Sequence, residues 1–185
     1  MVIVLVKKEE YKEMAVAYTR GTKKYYTLNI ITNEIEGMNV CLSHTYDHQP
    51  TEEDKTQLYN DYLAVLKANK IKDIIAYDTS SAVNQFYLAG NPAWLSKADR
   101  VGLSNSIAIE KAASFATTTL YLNGMAITIP VDSAIQMLSA LELYALACYR
   151  QTEEHKIAVS QLTTIQEVIA YDYTQGYPEK PNFEL

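Results

Sequence analysis

Thr117-Thr-Thr-Leu-Tyr-Leu-Asn-Gly-Met-Ala-Ile-Thr-Ile-Pro130 runs directly into Val131-Asp-Ser-Ala-Ile-Gln-Met-Leu-Ser-Ala-Leu-Glu-Leu-Tyr-Ala-Leu-Ala-Cys-Tyr-Arg150, and the change of pattern between them decides the fold class. The first half holds two β-rich arms, 117–122 and 125–129, around Asn123-Gly124, a pair that tolerates the positive φ angles of a type I′ hairpin turn. Pro130 ends the second arm, and Asp132 or Ser133 can cap a helix running toward Leu162. Residues 134–149 of that helix are almost wholly apolar, with Glu142 their one charge.

Leu138, Leu141, Ala145, Cys148, Thr152, His155, Val159 and Leu162 follow one another at intervals of three and four, the spacing of a heptad seam. About 31 helical residues span about 46 Å at 1.5 Å each, as long as a globule of this size is wide. The spacing therefore predicts a break near Gln151-Thr152, or an elongated molecule whose apolar helix is covered by partner chains. Leu138, Leu141, Ala145, Cys148, His155 and Val159 are the expected interchain seam, with Trp94 and Tyr121 as hairpin anchors packed on it.

Upstream of this stretch, residues 84–88 and 93–95 flank the turn cluster Ala89-Gly90-Asn91-Pro92 and read as a second hairpin. Ser96 with Asp99 offers a helix start, and Val101, Leu103, Ile107 and Ile109 carry an apolar face toward Ser114. Ile71-Lys-Asp-Ile-Ile-Ala-Tyr-Asp78 is echoed by Ile165-Gln-Glu-Val-Ile-Ala-Tyr-Asp172, a reused motif expected to form a short helical turn. Thr51 and Asp54 open a helix through Leu58, Tyr62, Leu63 and Leu66 to Asn69. Apolar runs at 2–6, 15–19, 25–32 and 38–46 have the spacing of a small antiparallel meander. The expected fold is α+β: an N-terminal antiparallel β-meander with one helix over 1–70, then a helix-hairpin-helix region over 71–185 with one long apolar helix.

Composition narrows the function. Hydrophobic residues make up 48% and charged residues 21% of the 185, so the chain has enough apolar surface to fold. A net charge of -6 repels phosphate backbones and argues against nucleic acid. The opening apolar run is cut by Lys7, Lys8, Glu9 and Glu10 before a signal or spanning segment could form. Cys41 and Cys148 give no disulfide framework and suit a reducing compartment. Tyrosine is in excess, 15 against 3 Phe and 1 Trp, and its ring with a polar tip suits half-buried strands, wet interfaces or sugar-contacting surfaces.

No reactive constellation stands out. Cys41, His44 and His48 are the only metal-like group, but strand alternation puts Cys41 and His44 on opposite faces and no second ligand pair follows. Cys148 and His155, seven apart on one helix, are about 10 Å apart along its axis, too far for a nucleophile and base. The six glycines form no phosphate-binding loop, and there is no G-x-S-x-G or H-E-x-x-H. The expectation is a protein without enzymatic activity and without a cofactor.

Ser80-Ser-Ala-Val-Asn-Gln-Phe-Tyr-Leu-Ala-Gly90, Trp94-Leu95, Arg100-Val-Gly-Leu103, Thr163-Thr-Ile-Gln-Glu-Val168 and the ending Ala170-Tyr-Asp-Tyr-Thr-Gln-Gly-Tyr-Pro-Glu-Lys180 together resemble an uncharacterised domain family of bacteriophage and prophage tail-fibre-associated structural proteins, in texture that of crAss-like phages of gut anaerobes. The resemblance covers about 71–180. It implies a virion structural protein of the tail region, made in the host cytoplasm: a tail-fibre, collar or adaptor subunit that contacts copies of itself and other tail proteins. Two alternatives stay open, a tail-fibre assembly factor or chaperone, and a module binding host surface glycans through Tyr25, Tyr26 and Tyr46. Neither nucleic acid nor membrane insertion is expected.

Overall fold

The computed structural model describes residues 2–7, 15–21, 23–35, 38–122 and 124–184, with side chains over 20–21, 23–29, 41–122 and 124–184. The chain forms two compact units, each assembled from two separate stretches: Met1–Lys72 with Ala158–Asp172, and Asp73–Ile157 with Tyr173–Leu185. Residues 158–172, which the sequence groups with 71–185, are part of the first unit.

The first unit is built on a four-stranded antiparallel sheet of β1 (Val2–Lys7), β2 (Ala15–Arg20), β3 (Lys23–Ile35) and β4 (Met38–Tyr46). Its order is β1-β4-β3-β2, so β2, β3 and β4 are a meander and β1 joins at the far edge, beside β4. Gly21 makes the positive-φ turn between β2 and β3. The breaks expected around Lys12 and at Glu36-Gly37 lie outside the described residues. Helix α1 (Glu52–Asp78) follows; Thr51 and Asp54 bond each other at its start as the sequence predicts. It does not stop at Asn69. The 71–78 motif is its last two turns rather than a separate turn, because Ile74 is buried and continuing the helix covers it. The later copy is the short helix α5 (Ile165–Ala170), closed by a capping box between Thr164 and Glu167. Ile165 is fully buried with Leu28, Leu42, Leu58 and Tyr62, its N–H donates to the Tyr59 hydroxyl at 3.2 Å, and Lys70 donates to the Ile169 carbonyl at 3.2 Å. Burying side chains of this size is worth about 1.5–3 kcal/mol each, which ties α5 to the sheet.

The second unit holds two hairpins and three helices that start within it. Helix α2 (Ser81–Asn84) leads to β5 (Phe86–Leu88) and β6 (Asn91–Ala93), joined by Ala89 and Gly90 with φ of 48° and 74°. A two-residue loop with both φ positive is the primed turn that strand twist favours. Ser96 and Asp99 form a full capping box for α3 (Lys97–Ala112). Strands β7 (Thr117–Leu122) and β8 (Met125–Pro130) pair from Thr117 with Pro130 to Leu122 with Met125, and Gly124 has φ 77°; Asn123 lies outside the described residues. Helix α4 (Val131–Gln161) is continuous, without the break anticipated at Gln151-Thr152. A final strand, β9 (Asn182–Phe183), pairs parallel with β5. Phe86, Leu88, Ile107, Leu120, Leu122, Ala134, Leu138 and Leu141 share one core.

Candidate functional site

Helix α4 has two apolar faces. Along one, Leu138, Leu141, Cys148, Thr152, His155 and Val159 are all buried inside the chain. The heptad spacing predicts an interchain seam here; Leu138 and Leu141 instead close the core against the hairpins and α3, and Ala145, one turn on, is half-buried. The heptad spacing was real, but its cover comes from the same chain. By length and composition α4 also meets the measure of a membrane span, and that measure does not distinguish a span from the core helix it forms here.

Polar residues continue this buried face beyond the core. The Thr152 hydroxyl donates to Asp78 Oδ1 at 2.9 Å, and since that uses its one proton, the Tyr177 hydroxyl at 2.9 Å donates to it. His155 Nε2 donates to the Gln175 carbonyl at 2.9 Å. Tyr77 meets the Tyr173 and Tyr177 rings edge-on. This network holds the stretch carrying Tyr173-Thr-Gln-Gly-Tyr177 and accounts for the motif at the end of the sequence. Tyr144 donates to the Val83 carbonyl at 2.6 Å. Burial pushes the Cys148 thiol up from its ordinary pKa, which keeps it protonated and a poor nucleophile.

The other face of α4 is uncovered. Leu143 is 69% exposed, Ile157 56%, and Leu146 and Tyr149 are exposed between them. Leu143 and Leu146 also line a shallow groove with Ser104 of α3. Beside this face, Arg100 is anchored by Glu142 at 2.6 Å and by the Leu95 carbonyl at 2.9 Å. Arg150 is exposed, with no ion pair among the described residues.

Trp94 and Tyr121 are not buried anchors. Tyr121 stands between buried Leu120 and Leu122 in β7, so strand alternation turns its ring outward, and Trp94, just past the end of β6, stands exposed between buried Ala93 and Leu95. They line one concavity together.

The metal-like group does not assemble. Cys41 is buried in β4, whereas His44 is exposed and meets the Tyr46 ring edge-on. His48 bonds Asp47 at 3.2 Å and Asp54 at 3.1 Å, and these hydrogen bonds raise its pKa. Among the described residues no three of His, Cys, Asp and Glu gather around a point where an ion could sit. Of the strand tyrosines, Tyr46 is tied down, its hydroxyl donating to the Asp54 carbonyl at 3.3 Å and its ring packed on the first unit's core. The outer face of α4 was missed because periodicity identifies a face without saying what covers it; Leu143, Leu146 and Ile157 were legible as a second stripe on the same helix. No family model, no curated protein and no solved structure matches the chain.

Proposed function

We propose that this chain is a non-enzymatic structural subunit of a bacteriophage tail that assembles with copies of itself through the outer face of α4. One observation carries the reading: a core helix that leaves Leu143, Leu146, Tyr149 and Ile157 in water on the side opposite its buried face. Apolar area of this kind costs about 25 cal/mol per Å² until a partner covers it. The stripe is self-complementary. Antiparallel two-fold pairing about Leu146 sets Leu146 on its own copy, Leu143 on Tyr149, and Glu142 on Arg150, so apolar positions meet apolar ones and the exposed Arg150 gains a carboxylate. The phage setting comes from the resemblance of 71–180 to tail proteins.

Light scattering over a tenfold dilution tests the assembly. The expected mass is a multiple of 20.8 kDa for the native chain and 20.8 kDa itself for the Leu143→Asp, Leu146→Asp variant. A native monomer would overturn the proposal. Mass spectrometry of purified particles from a phage encoding the chain then separates a permanent subunit, which is present, from an assembly factor, which is absent.

A further inference from the structure

We propose that the concavity between Trp94 and Tyr121 binds a neutral pyranose unit of a glycan. It encloses about 510 Å³ and is lined by Trp94, Asp99, Gly102, Thr119 and Tyr121 among others. The two rings are among the most costly to leave in water, yet Trp94 is 43% and Tyr121 77% exposed. Buried neighbours on either side fix the backbone under both rings, Tyr121 within β7 and Trp94 directly after β6, and a rigid aromatic ring loses little side-chain freedom when a ligand stacks on it. Gly102 leaves space over α3, since a Cβ there would meet nothing within 4 Å.

The polar groups select the ligand. Asp99 is fixed because its Oδ2 accepts from the Ser96 N–H at 3.2 Å and the Ser96 hydroxyl at 2.6 Å. Its Oδ1 makes no hydrogen bond among the described residues and is left to accept from a ligand. A carboxylate as the one charged group that lines the concavity among the described residues repels phosphate, sulfate and sialic acid, which sets aside nucleic-acid stacking on the same rings. It takes hydroxyl donors readily, and a proline-rich peptide, whose carbonyls could accept from the Trp94 indole N–H or the Tyr121 hydroxyl but leave the carboxylate without a donor, is the competing occupant that the test below separates. A pyranose supplies both halves of the match. Its C–H face carries partial positive charge and lies on the electron-rich face of an aromatic ring, while its equatorial hydroxyls point sideways to a carboxylate. Binding this way requires no partner on α4 and stands apart from the assembly reading.

Trp94 is the only tryptophan, so its fluorescence reports on this site alone. The native chain is applied to an array of neutral, sulfated and sialylated oligosaccharides with a proline-rich decapeptide, and the best neutral glycan is titrated while Trp94 emission is followed. The expected result is selective retention on neutral glycans, a saturable emission change, and affinity about tenfold weaker in Tyr121→Ala, with Tyr121→Phe close to native. Tyr121 is too exposed for its loss to unfold the chain, and an unchanged circular dichroism spectrum verifies this. A flat array, preference for the anionic glycans or the peptide, or equal binding by Tyr121→Ala would each overturn the proposal.

Discussion

Thr152 and Asp78, 74 positions apart, are joined by a hydrogen bond of 2.9 Å that links the middle of α4 to the last residue of α1. Thr152 is buried, so replacing it by valine keeps the shape while removing the donor to that Asp78 oxygen and the acceptor of the Tyr177 hydroxyl. Asp78 and Tyr177 are half-buried, so water can replace part of what they lose and the cost is about 1 kcal/mol, the net worth of an ordinary hydrogen bond. Thr152→Val is expected to lower the free energy of unfolding by that much, read in urea as a lower midpoint with an unchanged slope, and Tyr177→Phe by less; a variant as stable as the native chain would show that the network contributes nothing.

Gly176 has φ +81°, and a Cβ there would come within 2.6 Å of Gln151 Nε2. Gly176→Ala therefore meets both backbone strain and a side chain that must move. About 1–3 kcal/mol of destabilisation is expected, concentrated in the segment around Tyr177. Limited proteolysis checks this: cleavage between 173 and 180 should accelerate in the variant, ahead of global unfolding.

The two faces of α4 give opposite outcomes to the same chemistry. Leu138→Ala opens a cavity in a closed core and is expected to cost about 2–5 kcal/mol. Leu143→Asp lies in water and should leave the thermal midpoint of the monomer within a few degrees of native while abolishing self-association. Calorimetry with light scattering on both variants separates them; loss of fold in Leu143→Asp would place that residue in the core after all.

His48 and Asp54 titrate as partners. Hydrogen bonds that His48 donates to Asp47 and Asp54 raise its pKa, so this contribution is complete below the ordinary histidine value of about 6.5 and lost as pH rises through the raised one. The backbone N–H and hydroxyl of Thr51, with His48, lower the Asp54 pKa, so its contribution is present above the ordinary carboxylate value and lost as pH falls through the lowered one. In NMR titrations His48 should titrate above the ordinary histidine value of about 6.5, and Asp54→Asn should bring it back toward that value; an unmoved His48 would remove the pair from the account.

What the sequence revealed follows the range of the interactions involved. Hairpins and capping boxes are written in adjacent residues, and Asn123-Gly124, Ser96 with Asp99, and Thr51 with Asp54 were readable on sight. Strand β9 was not, because Asn182-Phe183 acquires its meaning only from Tyr87 and Leu88, about a hundred positions away. The end of α1 was misplaced because Asn69 is a poor helix former that costs only tenths of a kcal/mol when exposed, less than burying Ile74 returns. At the candidate sites, Ala93-Trp94-Leu95 is apolar throughout, so nothing in the sequence singled out Trp94 as the one of the three that faces out. The length of the apolar helix drew attention instead to partner chains for the wrong face.

The threading of both units through α1 and α4 also sets the order of events during synthesis. The first unit lacks its 158–172 stretch, and the second its 173–185 stretch, until both parts of each have left the ribosome. Neither can finish folding while the chain is being made up to residue 157, and the nascent protein carries two incomplete cores at once. Residues 134–149 are then the longest unshielded apolar segment on the ribosome, and a holdase that binds such segments should be found on this chain before release and absent from it afterwards.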